Sequence, residues 1–314
     1  MNVVSLFNGM NTGRQALENV GIKVDKYYSS EIKPHAIQLT QHHFPDTIQV
    51  GDVTKWKEWD IDWKSIDLIL SGSPCQDLSV AGKRAGINGK KSSLFFVFVE
   101  ILEHIKSLNP KVLFLQENVG SASKLDVGIM SRALGVYPVR INSSLVTAQL
   151  RDRYYWSNIR TKQDGMFGDL VTDIPQPKDQ KIMFKDIITG GEVNIEKYEF
   201  PLIYEHNNEL RCKTNTLQGF DIVTENDCID LSFPTSTTRR GRVTKGKSPC
   251  LMESNNNLYS YKDGIVRTVN QTEMERLQGF PDGYTSILNK AKAGSLLGDG
   301  WTLPIIEHIF SFIQ

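Results

Sequence analysis

A thiol and a carboxyl group each follow a short apolar segment of this sequence. The β-branched run 66–70 predicts a buried strand that ends at Pro74, and Cys75 comes next. A second apolar run, 111–116, predicts another buried strand, which leads directly into Glu117. A thiol that faces a carboxyl group can act as a nucleophile beside an acid. The alternative is that Cys75 is a small buried hydrophobic residue, the commonest fate of a free cysteine.

A fold that collects strand ends at one edge would bring these two groups together. The run 3–7 predicts a strand, 8–13 a glycine turn and 14–20 a helix, which is how a doubly wound fold begins. In such a fold, the carboxyl ends of neighbouring parallel strands form the ligand-binding edge. We therefore expect an α/β, doubly wound (Rossmann-like), mostly parallel sheet with Cys75 and Glu117 at the same edge.

Two further acids follow predicted strands. The strand 26–30 ends at Glu31, about twenty residues beyond the glycine turn, where such folds bind ribose hydroxyls. A strand near 47–50 is followed by Asp52. Either acid alone is equally well explained as a solvated strand end. Together with the glycines, they favour a cofactor that contains adenosine.

Two segments combine cations with glycines. The loop 79–92 contains Lys83 and Arg84 among its glycines, a composition that favours a moving lid over a passive connector. Phosphate contact is one interpretation of its cations, and a solvated surface loop is the alternative. The segment 237–247 contains Arg239, Arg240 and Arg242. Contact with nucleic-acid phosphates or base edges fits this segment, and a charged solvated loop is the alternative.

Gln149, Arg151 and Arg153 alternate with other residues. In a strand, these three side chains would share one face, where they could bind carbonyl or phosphate oxygens. Surface arginines of an edge strand are the alternative interpretation.

The composition limits the class of protein. The chain has 314 residues, with 36 Lys and Arg balanced by 36 Asp and Glu, so a local basic face is allowed but a uniformly basic surface is not. The four cysteines lie far apart, which argues against a zinc site or a disulfide framework. Neither a signal peptide nor a membrane span is expected, and a cytoplasmic protein is the default.

The composition and hydrophobic periodicity of the sequence change near residue 161. Periodicity weakens, short strands are indicated, and order returns near residue 272 with a short helix. We expect a smaller β-rich domain at 161–270. The remainder, 1–160 plus 271–314, would form one domain that is discontinuous in sequence.

Taken together, these motifs resemble those of the cytosine-5 DNA methyltransferases. The motifs, in chain order, are Phe7-Asn8-Gly9, Glu31, Asp52, Ser73-Pro74-Cys75-Gln76, Glu117-Asn118-Val119, the Gln149, Arg151 and Arg153 set, and the run 275–281. Features at 72–79, 153–156 and 297–301 are similar to the branch that holds the catalytic domains of animal de novo methyltransferases. The resemblance covers the chain apart from about 161–265.

The resemblance implies a mechanism. Cys75 would attack carbon 6 of cytosine, which makes carbon 5 nucleophilic toward the methyl group of S-adenosylmethionine. Glu117 would bind ring nitrogen 3, and Arg153, helped by Arg151, would hold the ring carbonyl oxygen. The base would be flipped out of the duplex at a cost of about a few kcal/mol.

The resemblance also implies the binding residues. For the cofactor these are Phe7, Asn8, Gly9, Met10, Asn11, Thr12, Glu31, Ile32, Asp52, Val53, Ser73, Pro74, Leu94, Asp299 and Trp301. For double-stranded DNA they are Gln76, Ser79, Lys83, Arg84, Arg239, Arg240 and Arg242. The domain at 161–270 would read the target sequence. No metal is implied, a cognate restriction endonuclease is a candidate partner, and the chain would act as a monomer or homodimer.

Two departures from the family pattern bear on the cofactor site. Met10, Asn11 and Thr12 stand where the family usually has adjacent glycines, and Asp299 replaces an asparagine that commonly touches the cofactor. Two other functions stay open at this point. One is an RNA cytosine-5 methyltransferase, and the other is a non-catalytic DNA-binding relative, although such a relative would be expected to lose Cys75 or Glu117.

Overall fold

The computed structural model describes residues 1–74, 94–165, 168–190, 202–236, 238, 240–253 and 257–313. The chain forms two compact units. The first contains Met1–Asn142, Asp152–Pro177 and Leu303–Gln314, and the second contains Ser143–Arg151 and Lys178–Thr302.

Strands and helices alternate through the first part of the chain, and strands dominate the middle. The strands are β1 (Asn2–Leu6), β2 (Lys26–Ser30), β3 (Ile48–Gln49), β4 (Leu68–Ser71), β5 (Leu113–Val119), β6 (Val139–Asn142), β7 (Asp152–Ser157), β8 (Thr161–Asp164), β9 (Asp169–Thr172), β10 (Ile203–His206), β11 (Glu209–Lys213), β12 (Phe220–Val223), β13 (Cys228–Asp230), β14 (Arg242–Thr244), β15 (Leu258–Lys262) and β16 (Ile265–Thr268). The helices are α1 (Thr12–Asn19), α2 (Pro34–His43), α3 (Leu94–Leu108), α4 (Lys124–Leu134), α5 (Phe184–Ile187), α6 (Gln271–Leu277), α7 (Lys290–Asp299) and α8 (Leu303–Phe310).

The first unit is built on one sheet, which has seven strands within the described residues, in the order β3-β2-β1-β4-β5-β7-β6. The five strands β1 to β5 run parallel, whereas β7 pairs antiparallel with both β5 and β6. The predicted doubly wound, mostly parallel α/β fold is therefore confirmed. Its carboxyl edge is the edge at which β1, β2, β4 and β5 end.

The apolar pattern of α3 explains how this helix covers the sheet. Its buried residues recur at helical spacing and form a continuous stripe. They are Phe95, Phe98, Ile101, Leu102 and Ile105. The stripe packs in the same core as Phe114 of β5 and Trp156 of β7. The sequence predicts a helix over about 94–108, where an apolar run is interrupted by Glu100 and Glu103, and the observed bounds agree.

The last helix, α8, belongs to the first unit, which is therefore discontinuous in sequence. Asn19 of α1 donates a hydrogen bond to Glu307 of α8. His308 of α8 contacts the carbonyl oxygen of Pro175 at 2.8 Å. The buried residues of α8 include Ile305, Ile306 and Ile309, so one face of the helix is apolar.

The second unit is rich in strands. One sheet has the order β10-β11-β12 and another the order β14-β13-β15-β16, and all of their pairings are antiparallel. Apolar residues of both sheets, including Leu210, Ile229 and Val266, share one core. The unit also contains α6 and α7, and the hairpin β8–β9 lies in the first unit. The division into catalytic and target-recognition domains at 161 and 270 stays a prediction, since these compact units follow other boundaries.

None of the helices in the described ranges combines the length and the apolar character that crossing a bilayer requires.

Candidate active site

The first half of the site forms where β4 and β5 end side by side. These strands pair parallel with Ser71 opposite Gln116. Gln116 donates to the hydroxyl of Ser73 at 2.9 Å, and Asn118 lies 3.4 Å from the same oxygen. The polar residues of β5 thus hold the start of the loop that follows β4. This fixes the backbone up to Pro74, the last residue described before the segment 75–93.

Glu117 of β5 and Arg153 of β7 form an ion pair. Arg153 Nε lies 2.9 Å from Glu117 Oε1, and both side chains are largely buried. The antiparallel register pairs Glu117 with Tyr155, so Arg153, two residues earlier on β7, faces the same side. A second donor of Arg153, Nη1, bonds the carbonyl oxygen of Asp152 at 2.9 Å. The guanidinium is therefore held in a fixed orientation next to the carboxylate.

The predicted nucleophile and lid residues lie outside the described residues. They are Cys75, Gln76, Ser79, Lys83 and Arg84. The other cysteines are described, and burial raises the pKa of Cys212 and of Cys228 to about 12. Both are therefore protonated thiols at neutral pH, which makes them poor nucleophiles. Cys250 is partly exposed.

The second half of the site is the turn between β1 and α1. Phe7, Gly9 and Asn11 have φ values of 55°, 57° and 66°, so left-handed residues alternate along the turn. For a bulky residue such as Phe7 this conformation is strained, and such strain clusters at ligand sites. Gly13 permits close packing, because a Cβ there would lie 2.4 Å from Leu70 Cδ1.

The Glu31 carboxylate closes this turn. Its Oε2 accepts a hydrogen bond from the backbone N–H of Gly9 at 2.8 Å. Its Oε1 accepts from the N–H groups of Ile32 and Lys33 at 2.7 and 2.9 Å. A carboxylate oxygen has two acceptor sites, so Oε2, which accepts one of these bonds, can still receive a ribose hydroxyl. Ile32 beside it is 71% exposed.

Asp52 lies just after β3, and β3 is the strand that pairs with β2. Its Oδ1 accepts from the backbone N–H and the hydroxyl of Thr54, both at 2.9 Å, and these bonds lower the pKa of Asp52. Val53 is buried and Leu94, the first residue of α3, is half-buried. Asp52 therefore stays ionised at neutral pH as a fixed hydrogen-bond acceptor.

Asn11 provides the test of whether a polar cofactor fits. Its side chain is fully buried, and neither Oδ1 nor Nδ2 has a hydrogen-bond partner in the described part of the chain. An unpaired buried amide costs about 1–3 kcal/mol, so such a group points to a partner that completes it. Asn11 is the N-cap of α1, and the N–H groups of Thr12 and Gly13 have no partner within the helix. These donors suit the carboxylate of an amino-acid group, so the residues present fit S-adenosylmethionine.

The prediction that Gln149, Arg151 and Arg153 share a strand face is wrong. Strand β7 begins at Asp152, because the preceding backbone pairs elsewhere: Leu150 donates to the carbonyl of Ser248 at 2.8 Å. Arg151 is buried, and it donates to the carbonyl oxygens of Leu251, Gly298 and Gly300 at 3.1, 3.0 and 2.7 Å. These contacts fix the backbone of the second unit.

The remaining predicted residues lie in the second unit. Asp299 is the exposed last residue of α7, and Trp301 is half-buried. Arg240 is exposed, and Arg242 forms an ion pair with the buried Asp230. Arg239 lies outside the described residues.

Sequence reasoning missed Gln116. This residue is fully buried, and it links Ser73 to the backbone carbonyl of Glu117 through Nε2. The signal was present, since a glutamine interrupts an apolar strand directly before the candidate acid. Its partner could not be predicted, because the pairing of β4 with β5 spans more than forty positions of the sequence.

No group of three or more His, Cys, Asp or Glu side chains suited to holding a metal occurs among the residues that the structure describes.

A doubly wound sheet with a largely buried Glu–Arg pair and a left-handed turn at its carboxyl edge is typical of α/β enzymes that bind their ligands at that edge. The profile of the C-5 cytosine-specific DNA methylases matches residues 1–314, and the chain belongs to that family. It is thus a DNA cytosine-5 methyltransferase, and enzymes of this family generally use S-adenosylmethionine.

Similar proteins support this assignment over the whole chain. The type II methyltransferase M.HpaII of Haemophilus parainfluenzae is 26% identical over 321 residues, which cover 97% of this chain and 86% of the relative. M1.ScrFI of Lactococcus lactis subsp. cremoris is 28% identical over 319 residues, which cover 98% and 76%. The solved methyltransferase EhMeth of Entamoeba histolytica shares the fold, with a TM-score of 0.61 at 14% identity over 100% of this chain and 97% of that chain.

Proposed function

We propose that this enzyme methylates carbon 5 of a cytosine that is flipped out of a specific duplex DNA sequence, through a covalent bond to Cys75. The observation that carries the proposal is the Glu117–Arg153 pair, on the same strand whose Gln116 anchors Ser73, two residues before Cys75. These groups supply an acid and a cation at the place where the ring of the target base must be held.

Cys75 acts as the nucleophile. Its thiolate attacks carbon 6 of cytosine, and an S–C6 bond forms as the C5–C6 double bond shifts its electron pair toward carbon 5. S-adenosylmethionine, when bound, supplies the methyl group that carbon 5 accepts. Loss of the carbon 5 proton to water and elimination of the Cys75 thiolate restore the double bond and release the methylated base.

Glu117 binds ring nitrogen 3 of the flipped base. A hydrogen bond from the protonated carboxyl group, or proton donation, offsets the negative charge that spreads into the ring when sulfur attacks. Gln116 Nε2 bonds the Glu117 carbonyl oxygen at 2.6 Å, and this fixes the backbone from which the acid projects. The largely buried position strengthens each electrostatic contact relative to water.

Arg153 holds the ring carbonyl oxygen. Its Nε is directed to Glu117 and its Nη1 to the Asp152 carbonyl, and these contacts orient the guanidinium fork. Arg151 acts differently in this proposal. Its contacts with the carbonyl oxygens of Leu251, Gly298 and Gly300 support a positioning role in the second unit.

The turn between β1 and α1 and the acids beyond it hold the cofactor. Glu31 binds the ribose hydroxyls, while Asp52 and Val53 contact the adenine edge, with Ile32 against its face. Asn11 and the first N–H groups of α1 hold the amino-acid end. Phe7, Asn8, Met10, Pro74 and Leu94 complete the proposed binding surface.

The β-rich part of the second unit reads the target sequence in this proposal. The exposed cations Arg240 and Arg242 fit contact with DNA. The similarity to proteins named as type II methyltransferases supports a cognate restriction endonuclease as a partner in the cell.

Trapping with 5-fluorocytosine tests the covalent step. Duplex DNA that carries 5-fluorocytosine should form a stable adduct with the wild-type enzyme and S-adenosylmethionine, because fluorine cannot leave as a proton does. Cys75→Ser should form no adduct and transfer no methyl group, while it retains cofactor binding. Cys250→Ser is the matched control and should behave as wild type. An adduct formed by Cys75→Ser would overturn the proposal, and an adduct on RNA only would reassign the substrate.

A further inference from the structure

A fully exposed leucine, Leu217, marks the turn between β11 and β12. Leu217 has a relative accessibility of 112%, the largest of the exposed apolar residues in the described ranges. Single exposed apolar side chains are common on proteins, so exposure alone carries no function. The ordered turn and the cations around Leu217 indicate a role for its exposed side chain.

The turn Thr214–Gly219, here called the hairpin tip, is built to hold its shape. The N–H of Thr214 donates to the carbonyl of Gly219 at 3.1 Å, and the N–H of Gly219 donates to that of Thr216 at 2.9 Å. The hydroxyls of Thr214 and Thr216 are 2.9 Å apart, and Gly219 has the positive φ of 78° that the turn needs. Leu217 therefore projects from an ordered turn.

The hairpin tip is joined to the cationic segment that precedes β14. Asn215 Nδ2 donates to the carbonyl of Thr238 at 3.1 Å, and the N–H of Gly241 donates to the carbonyl of Lys213 at 3.0 Å. A Cβ at Gly241 would lie 2.3 Å from Cys212 Sγ, so only glycine permits this approach. The apolar tip and Arg240 are held on the same edge of the second unit.

Cations flank the tip on this edge. Lys213 and Arg240 are exposed, and neither forms an ion pair with the described residues. Arg242 keeps 59% of its side chain exposed while Asp230, which is buried, holds its guanidinium. Cations around one exposed apolar side chain match an anionic surface that has a recess between its charges.

We infer that Leu217 enters a groove of the duplex and contacts the bases, while Lys213, Arg240 and Arg242 contact the phosphates on either side. Duplex DNA is the partner that this charge pattern fits, since its phosphates line the grooves. Inside the grooves an apolar side chain can contact a thymine methyl group or insert between stacked base pairs. Leu217 is thereby a determinant of sequence preference rather than of charge attraction. This inference rests on the proposed function.

Two measurements separate the role of Leu217 from that of the cations. The first is bisulfite sequencing of plasmid DNA from cells that express the enzyme, which gives the ratio of methylation at the preferred sequence to that at its nearest variants. The second is the slope of log binding constant against log salt concentration, measured on a fragment of the same plasmid.

Leu217→Ala should lower the discrimination ratio about tenfold, as expected when one base pair is no longer read, and leave the salt slope unchanged. Lys213→Ala and Arg240→Ala should each reduce the salt slope by about one. Leu170→Ala, which alters another exposed leucine on β9 of the first unit, is the matched control and should change neither measurement.

The proposed function and the inference about Leu217 can be refuted separately. If the wild-type enzyme methylates no cytosine in any sequence, the proposed function fails. If the wild-type enzyme methylates DNA and Leu217→Ala shows the same discrimination ratio, only this inference is overturned. A loss of discrimination together with a lower melting temperature would be checked with Leu217→Met, which keeps an apolar tip and should restore the ratio; failure to do so would also overturn the inference.

Discussion

Arg153 Nε lies 2.9 Å from Oε1 of Glu117, although 36 positions of sequence separate the two residues. The antiparallel pairing of β5 with β7, in which Val119 lies opposite Arg153, produces this contact. A cation and an acid held together in this way can grip two neighbouring atoms of one planar ring. The pair is the part of the proposed chemistry that is best defined by geometry.

Replacement of Arg153 tests this pair. Arg153→Lys keeps a positive charge but loses the planar fork, so we expect kcat to fall by about a hundredfold or more, with a smaller effect on KM. Steady-state kinetics on plasmid DNA would measure the change. The melting temperature should stay near that of wild type. A variant with unchanged kcat would exclude Arg153 from the reaction.

Replacement of Arg151, only two residues away, should lower the stability of the protein, whereas replacement of Arg153 should lower kcat. Arg151→Met leaves the carbonyl oxygens of Leu251, Gly298 and Gly300 without their donor, at a cost on the order of 3–5 kcal/mol. We expect the thermal unfolding of the protein to shift downward by about 10 °C. Arg140→Met is the control, because Arg140 is exposed and its ion pair with Asp152 contributes little. A stable Arg151→Met enzyme that is nevertheless inactive would instead support a role in catalysis.

Asn11→Gly tests whether the side-chain amide of Asn11 binds the cofactor. Glycine accepts the positive φ of this position, so the backbone of the turn is retained. If the amide binds S-adenosylmethionine, calorimetric titration should show affinity lowered by about five- to tenfold, the equivalent of one lost hydrogen bond. The free protein should be no less stable, because an unpaired buried amide is removed. Unchanged affinity would exclude the contact.

The buried pair of Glu273 with Arg267 predicts a pH dependence of stability. Burial alone would raise the pKa of Glu273, but hydrogen bonds from Arg267, Asn270 and Thr189 outweigh it and lower that pKa. Because the pKa is lower in the folded state, the stabilisation is present above the unfolded value, about 4.3, and is lost as pH falls through the folded pKa.

Glu273→Gln should therefore destabilise the protein at pH 7 by about 3 kcal/mol or more, because Arg267 is left buried without its partner. The gap to wild type should close as the pH is lowered from 5 to 3, as followed by melting temperature. Asp282→Asn is the control, since its pair with Arg276 is exposed. A gap that is constant with pH would contradict this assignment.

The sequence by itself determined the elements and the chemistry that they carry. Apolar periodicity predicted α3 over its observed range, and the glycine turn predicted the α/β opening, because both signals depend on residues that are neighbours along the chain. The order of Cys75, Glu117 and Arg153 with their surrounding motifs was enough to indicate the family.

Only the tertiary structure decided which of these residues meet. Arg151 and Arg153 are neighbours in sequence and of one type, yet one binds backbone carbonyls of the second unit and the other binds Glu117 in the first. Register between distant strands sets this difference, and no local pattern encodes it. The same holds for the hairpin tip, whose place beside Arg240 depends on a glycine that lets two distant backbones approach.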